Sequence, residues 1–447
     1  MKLKKYLLSF AGIASLALPA VAISCGTKAT SNIDDYIEKQ DRVAEIDVKA
    51  NVNSEFVKSD KIKAKNIKFA LITDTGKVSD KSFNQSAWEA LLQIADQTAE
   101  TIDGKRKEAF EFTAVEPKGN SYEQSYNTAV DEGANVIVLP GFSHGEHIKP
   151  WIEKNKAKLE AKKVIIIGID FDLDVDYQNF YALNFDVNQA SWQLGHAIGK
   201  FLATVYPEQA DKRKSSAFGG GPFFGVTDFI TGYLKGLHYF NQNNTIKTTH
   251  ASSLPLDSGF QPDEKQKSVI TGVLDQGATF VYPVAGPATS VTIEEIRKNA
   301  KFADKLVIGV DVDQSKAFQN GKEYLATSVL KNIGQAVYDV ILAAVFEDDA
   351  SKAKIAKYKN TSKQTTQSYF AGFEAHWVGL APSTMKNEAH RKVMNDAIEE
   401  AKRIFAALPE DEKAFISKHN SEKGGAEVEQ PNIASVVNKL VEIVNNQ

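Results

Sequence analysis

Residues Ile67 to Leu91 read IKFALITDTGKVSDKSFNQSAWEAL, and this stretch decides the fold class. An apolar run, Ile67 to Ile72, enters a polar turn, and the turn delivers Phe83 onto a helix start. A strand passing into a helix in this way is the building unit of a parallel sheet with helices on its faces. Asp74, Phe83 and Asn84 therefore fall at the carboxyl end of a strand, where open α/β sheets bind their ligands.

The same alternation continues outward from that segment. Strands are expected at Ile67 to Ile72, Phe110 to Ala114, Val136 to Leu139, Val164 to Ile169 and Phe180 to Asn184. After a helix from about Asn188 to Val205 comes a second series, Lys214 to Phe218, Thr248 to Leu254, Phe280 to Val284 and Leu306 to Val310. Two successive series predict an α/β protein of two doubly wound lobes with parallel sheets. The division expected is 66–185 for the first lobe, with a returning segment near 312–345, and 186–311 for the second, with a returning segment near 365–385. Residues 386–447 form a helical extension with two amphipathic faces, Ala389, Val393, Ala397, Ala401 and Phe405, then Ile433, Val436, Val437, Leu440 and Val444. Packing on a lobe is favoured for it over partner binding.

The amino terminus addresses location. Lys2, Lys4 and Lys5 precede an apolar run from Tyr6 to Ile23, and Ser24 stands before Cys25, the layout of a secretory signal, 1–24. Cys25 is the sole cysteine, so it has no internal disulfide partner, and lipidation followed by cleavage on its amino side is expected. The alternative, a membrane-spanning anchor, is short and holds Gly12 and Pro19. Residues 25–65, rich in Ser, Asn, Lys and Asp, read as a flexible tether. The chain carries 53 basic and 57 acidic residues, −4, and without residues 1–24, which hold three lysines and no acid, the balance is 50 to 57, or −7. Such a protein is a poor partner for nucleic acid, because phosphate contacts need concentrated Lys and Arg.

DKSFNQSAWEAL, Asp80 to Leu91, resembles the opening motif of the basic-membrane-protein (PnrA-like) family, lipid-anchored nucleoside-binding proteins that feed ABC importers. Further resemblances follow in order: GGGPFFGVTDFITGY from Gly219, Gly286 after FVYPVA, GVDVDQ around Asp311, ATSVLKNIG around Lys331, and EAHWVGLAPS from Glu374 to Ser383. The likeness spans about residues 66 to 383 and implies a periplasmic-binding-protein fold of type I, with the ligand in a cleft between closing lobes. It implies that Phe83 and Phe229 sandwich a base, that Gly286 offers main chain, and that Asp311 accepts hydrogen bonds from the ribose hydroxyls. Lys331 would aim at the sugar region or hold a carboxylate, and Asp74 and Asn84 would address the ligand from the first lobe. Pro287 departs from the family's usual second glycine, and Ala22, Ile23, Ser24 from the common lipobox, in a manner similar to lipoproteins of wall-less bacteria.

For each aromatic the bland alternative is a core phenylalanine, since the chain has 25; for Lys331 it is a surface salt bridge. Gly219 to Gly221 could cradle phosphate but lack the Lys and Ser or Thr of a P-loop. HGEH around His144 and the run Asp170, Asp172, Asp174, Asp176 lack the spacing of metal sites. The expectation is a monomeric, non-enzymatic receptor without cofactor or metal, partnered by a nucleoside, an ABC permease and, through lipid, the extracellular face of the membrane. Two rivals stand beside it, a surface nucleosidase and an adhesin-like lipoprotein with an idle cleft.

Overall fold

The computed structural model describes residues 30–48, 57–74, 76–119, 121–360 and 367–447. The signal stretch, Cys25 and its lipidation lie outside the described residues. Short apolar runs between turns form β1 (Lys68–Ile72), β2 (Glu111–Val115), β3 (Val136–Pro140), β4 (Ile165–Ile169) and β5 (Phe180–Phe185). They pair in parallel in the order β5-β4-β3-β1-β2, and α1 (Phe83–Thr98) follows β1. The chain leaves this sheet through α2 (Val187–Val205) and builds a second one from β6 (Lys214–Gly219), β7 (Thr249–His250), β8 (Phe280–Val284), β9 (Leu306–Asp311) and β10 (Leu325–Lys331). These strands also run parallel, ordered β10-β9-β8-β6-β7. Two later strands complete the sheets: β11 (Gln367–Ala371) lies parallel to β5 in the first, and β12 (Val378–Leu380) antiparallel to β10 in the second. This is the two-lobed, doubly wound α/β architecture expected.

One apolar core runs through both lobes, and separate clusters cover the far faces of each sheet. In the second lobe α2 crosses α3 (Phe224–Asn243) at backbone contact. A Cβ on Gly195 would stand 2.1 Å from the Tyr233 carbonyl oxygen, and one on Gly236 would stand 2.0 Å from that of Trp192. Those two glycines therefore set the helix separation, and a larger residue at either would force the pair apart.

Several boundaries differ from the expected ones. The strand expected at Thr248 to Leu254 pairs only at Thr249–His250; the chain then turns away, and the Pro255 carbonyl accepts from the Gly219 amide at 2.9 Å. The returning segment near 312–345 begins later, because Leu325–Lys331 continues the second sheet beside β9. The return starts at α4 (Ile333–Val340), which packs on α1. The segment near 365–385, expected to return to the second lobe, divides between the sheets: Gln367–Ala371 joins the first and only Val378–Leu380 the second. The charged stretch Asp103 to Lys107 forms an antiparallel ribbon, Glu100–Ile102 with Lys105–Lys107. Its turn residues, Asp103 (φ 51°) and Gly104 (φ 73°), carry the left-handed conformations a tight hairpin requires.

Part of the expected tether is packed structure. The Trp88 indole donates to the Asp35 carbonyl at 2.7 Å, the Tyr36 hydroxyl to Asp96 at 2.7 Å, and Arg42 pairs with Asp96 at 2.9 Å. Composition reads as solvated here because the anchoring groups are mostly polar. The extension packs on the second lobe: α5 (Glu388–Ala407) lies on α2, α6 (Glu410–Ile416) touches α2, and α7 (Ile433–Asn445) lies on α3. Its buried faces are Met394, Ala397, Ile398, Ala401 and Phe405 on α5, and Ile433, Val436, Val437, Leu440, Val441 and Val444 on α7. Ala389, expected on the first face, is exposed.

Candidate functional site

The loop from β1 to α1 is organised by one carboxylate. Asp80 accepts from the amides of Ser82 (2.8 Å), Asn84 (3.0 Å) and Gln85 (3.1 Å), and from Asn84 Nδ2 at 2.9 Å. These amides belong to the first turn of a helix, which has no partners of its own for them. Asp80 thus caps α1 and fixes Phe83 and Asn84 at its start, although burial pushes its pKa up against those bonds. Asn84 is buried, and its Oδ1 has no partner among the described residues.

Lys331, the last residue of β10, sits where the two sheets' carboxyl ends meet. It is 3 % exposed, and its ammonium pairs with Asp170, which follows β4 in the first lobe. Three rings surround the same nitrogen, Phe185 at 5.3 Å, Phe83 at 5.4 Å and Phe229 at 5.9 Å to their centroids. A cation this close to aromatic faces gains from their quadrupoles, most where water is excluded. Lys331 therefore forms a buried, interlobe ion pair and not a surface salt bridge. Phe83 is partly exposed, whereas Phe229 is 2 % exposed and joins the through-going core.

Asp170 and Asp311 are counterparts. Each ends the central run of its sheet in IGID and IGVD, Ile167 to Asp170 and Ile308 to Asp311, and each adopts a left-handed backbone, φ 67° and 65°. Aspartate tolerates this conformation better than most residues with a side chain, yet it is uncommon outside turns and functional sites. Ser82 Oγ donates to Asp311 Oδ2 at 3.2 Å, linking α1's start to the second lobe. The Asp311 residue retains some exposed surface, yet protein crowds its carboxyl. Burial first, then the neighbouring Asp170 and Asp80 charges, push its pKa up to about 6 against the opposing pull of Lys331 and Ser82.

The remaining expected residues are placed as follows. Asp74 lies at the end of β1; its carbonyl accepts from the Tyr122 hydroxyl at 2.9 Å, and a Cβ on Gly141 would fall 2.0 Å from its Oδ2. Gly286 (φ 53°) follows β8, and its carbonyl accepts from Gln314 Nε2 at 3.4 Å. The amides of Gly219 and Gly220 already donate to Pro255 and Val284 carbonyls, so the glycine turn does not present a phosphate cradle from those two groups. His144 lies away from the ligand chemistry. Its Nε2 donates to the Ile72 carbonyl at 2.9 Å, its Nδ1 accepts from the Tyr126 hydroxyl at 2.7 Å, and burial pushes its pKa down to about 3, so it is a neutral structural link. Asp172 accepts from Ser368 and Asn184, tying β11 to β5.

Several site residues escape sequence reasoning. Asp170 is one, and the signal that could have found it is the match of its IGID to IGVD at Asp311, a repeat that reports equivalent strand ends. Phe142, 50 % exposed, meets Phe223 across the lobes at 4.7 Å between centroids, one following β3 and the other preceding α3; no spacing signal marks that pair. A small cavity of about 10 Å³, room for about one water, lies beside Asp311 and Lys331 and is walled on one side by Val43, Ala44 and Glu45. Nothing in composition points to those three.

Comparison with known proteins bears on this arrangement. The family model for PnrA-like substrate-binding proteins of ABC transporters matches residues 67–375. The chain is 28 % identical over 305 residues to a CD4+ T-cell-stimulating antigen of Listeria monocytogenes, covering 65 % of this chain and 77 % of that protein. It is 26 % identical over 293 residues to the ABC transporter nucleoside-binding protein BmpA of Lactococcus lactis, covering 63 % and 76 %. Basic membrane protein B of Borreliella burgdorferi is 28 % identical over 277 residues, 62 % and 72 %. In fold, the chain is similar to a solute-binding protein of an ABC transporter system from Aeropyrum pernix, with a TM-score of 0.53 at 18 % identity, covering 78 % of this chain and 89 % of that one. The two sheets, their meeting at Lys331 and a match over most of the chain agree: the chain belongs to the PnrA-like family of ABC transporter substrate-binding proteins.

Proposed function

We propose that this chain is a lipid-anchored receptor on the outer face of the cell membrane that captures a nucleoside, preferentially a purine, and delivers it to an ABC permease. The observation that carries the reading is the Lys331 cluster, where one ammonium, two carboxylates from opposite lobes and three phenylalanine rings converge. A nucleoside offers a flat base for aromatic faces and neighbouring hydroxyls for a carboxylate. Base stacking is worth roughly 1 to 3 kcal/mol per base, and two charge-assisted hydrogen bonds about as much again or more. The sum, about 4 to 9 kcal/mol, has the roughly 8 kcal/mol of micromolar binding near its upper end. In this reading Phe83 and Phe229 flank the base, Asp311 accepts from the ribose hydroxyls, and Lys331 holds Asp170 and the sugar region. Asp74, Asn84 and Gly286 supply the remaining polar contacts. The Lactococcus relative is described as nucleoside-binding, which supports the ligand class. Cys25 supplies the anchor.

The test is mass spectrometry of the small molecule released on denaturing the purified protein, followed by calorimetry of the refolded protein with inosine, guanosine, adenosine and uridine. A released purine nucleoside that rebinds at micromolar or tighter affinity is expected. Binding of none of the four would overturn the reading, and liberation of free base on long incubation would replace it with hydrolysis.

A further inference from the structure

Residues 41–48 lie outside the family match and run along the seam between the lobes. Their hold on the first lobe is polar. The amides of Val43 and Ala44 donate to the Glu89 carboxylate of α1 at 3.0 and 2.6 Å, and Glu89 is fully buried. The Asp47 amide donates to Gln335 Oε1 of α4 at 2.7 Å. Gly334 keeps the passage open, since a Cβ there would come 3.0 Å from that of Ala44 and 2.9 Å from the Ser86 carbonyl oxygen.

Their hold on the second lobe is an apolar contact and one exposed ion pair. Val43, 2 % exposed, clusters with Val312, Ala317 and Phe318, and Glu45 pairs with Lys316. Val312 directly follows Asp311, whose left-handed backbone is uncommon for a residue with a side chain and turns the chain sharply at this point. Packing against Val312 therefore bears on where the Asp311 carboxylate points, and Val43 to Glu45 also wall the cavity beside Asp311 and Lys331.

We infer that Val43 is a positioning residue for ligand binding: packed on Val312, it fixes Asp311 toward the cleft and fastens the first lobe to the second. The strap of residues 41–48 then belongs to the binding machinery although it precedes the family's core. This rests on the reading of Asp311 as the ribose acceptor, and the experiment separates the two. In full-length, ligand-stripped protein, Val43→Ala opens a small void against Val312, and the amides of Val312 to Phe318 are expected to exchange hydrogen about tenfold faster, with those of β3 and β8 unchanged. By calorimetry the same variant is expected to bind inosine about tenfold more weakly and hypoxanthine within about twofold of wild type. Unchanged exchange at Val312 to Phe318 overturns the packing claim whatever the protein binds. Faster exchange with equal effects on inosine and hypoxanthine overturns the positioning of Asp311. A wild-type protein that binds no nucleoside overturns the ligand reading and the ribose half of this inference, while exchange still decides the packing half. Should Val43→Ala not fold, the exposed pair gives the second route: Glu45→Lys is expected to speed exchange in the same segment and the added Lys316→Glu to restore it, and a double variant no better than the single counts against the strap.

Discussion

Asp311→Asn is the substitution that separates a ribose acceptor from a structural carboxylate. The carboxamide keeps the size of the side chain and tolerates the φ of 65°, which alanine would occupy only with strain. It loses the charge and one of two acceptor oxygens. Hydrogen bonds to a charged group contribute about 1.5 to 3 kcal/mol and neutral ones about 0.5 to 1.5, so two ribose bonds lose on the order of 2 to 3 kcal/mol. That corresponds to a loss of about thirty- to a hundredfold in inosine affinity, at 1.4 kcal/mol per factor of ten. Hypoxanthine, with no ribose, should lose no more than about threefold. Stability moves the other way: the site raises the carboxyl pKa to about 6, so it disfavours the charge that Asp311 carries at pH 7.5. Removing that charge should raise the thermal midpoint, by on the order of 1 to 3 kcal/mol of stability. Calorimetry with both ligands and a melting scan of the stripped protein measure all three quantities. Equal losses for inosine and hypoxanthine, or a lowered midpoint, would refute the assignment.

The same group sets a pH dependence. Inosine affinity should fall about tenfold per pH unit below about 6 as Asp311 takes up its proton, and flatten in Asp311→Asn; a profile level from pH 5 to 8 in the wild-type protein counts against it. Because the folded pKa lies above the unfolded value near 3.8, the Asp311 contribution to stability is present in acid and lost as pH rises through about 6, opposite to binding. Phe83→Leu and Phe229→Leu should weaken inosine and hypoxanthine alike, by roughly 1 to 3 kcal/mol each, and only Phe229→Leu, buried in the core, should also lower the melting temperature; a loss confined to inosine would place the rings at the sugar instead. Cys25→Ser should move the protein from membrane to soluble fractions in fractionated cells at an unchanged melting temperature, and unaltered partitioning would exclude a lipid at that sulfur.

The sheets were legible because their strands are short, continuous apolar runs at regular spacing, buried on both faces as parallel strands are, and such runs need no tertiary knowledge. Leu325–Lys331 shows the limit of that signal: its pattern reads as a strand, but whether such a strand joins one sheet or the other depends on β9, which it pairs with. The strap was illegible for a different reason. Its anchors are backbone amides on Glu89 and a single valine on Val312, and neither leaves a periodic trace. Asp80 opens the family motif, but no spacing marks it as a cap, and only the three backbone amides that donate to it reveal that it sets Phe83. Asp311 and Lys331 were found by family likeness, whereas Asp170 needed the two strand ends compared with each other.

The extension is wired into the second lobe by buried polar groups as well as by apolar faces, and this decides what kind of element it is. Lys235 of α3, 2 % exposed, donates to the carbonyls of Phe415 (2.8 Å), Ile416 (3.2 Å) and Lys418 (2.6 Å), and its ammonium lies 4.4 Å from the Phe415 ring centroid. Phe415 and Ile416 are the last residues of α6 and Lys418 lies just beyond it, so the ammonium sits at the helix's carboxyl end, where a cation is favoured. Next to them Ser417 donates to Asp186, and His419 reaches Asp228 at 3.0 Å, one residue from Phe229. Residues 415 to 419 thus supply partners to the buried Lys235 and Asp186 and the half-buried Asp228, and burial already pushes the Lys235 pKa down to about 7 and the Asp186 pKa up to about 6. Stranding one member of a buried charged set costs about 3 to 5 kcal/mol, a large share of a domain's net stability. A segment merely resting on the surface would incur no such cost, so the extension is a constituent of the second lobe. The strap, by contrast, is fastened mainly to the first, by its amide bonds to Glu89 and Gln335. Opening the cleft would carry the extension with one lobe and the strap with the other, and would break the Val43 contact with Val312 beside Asp311.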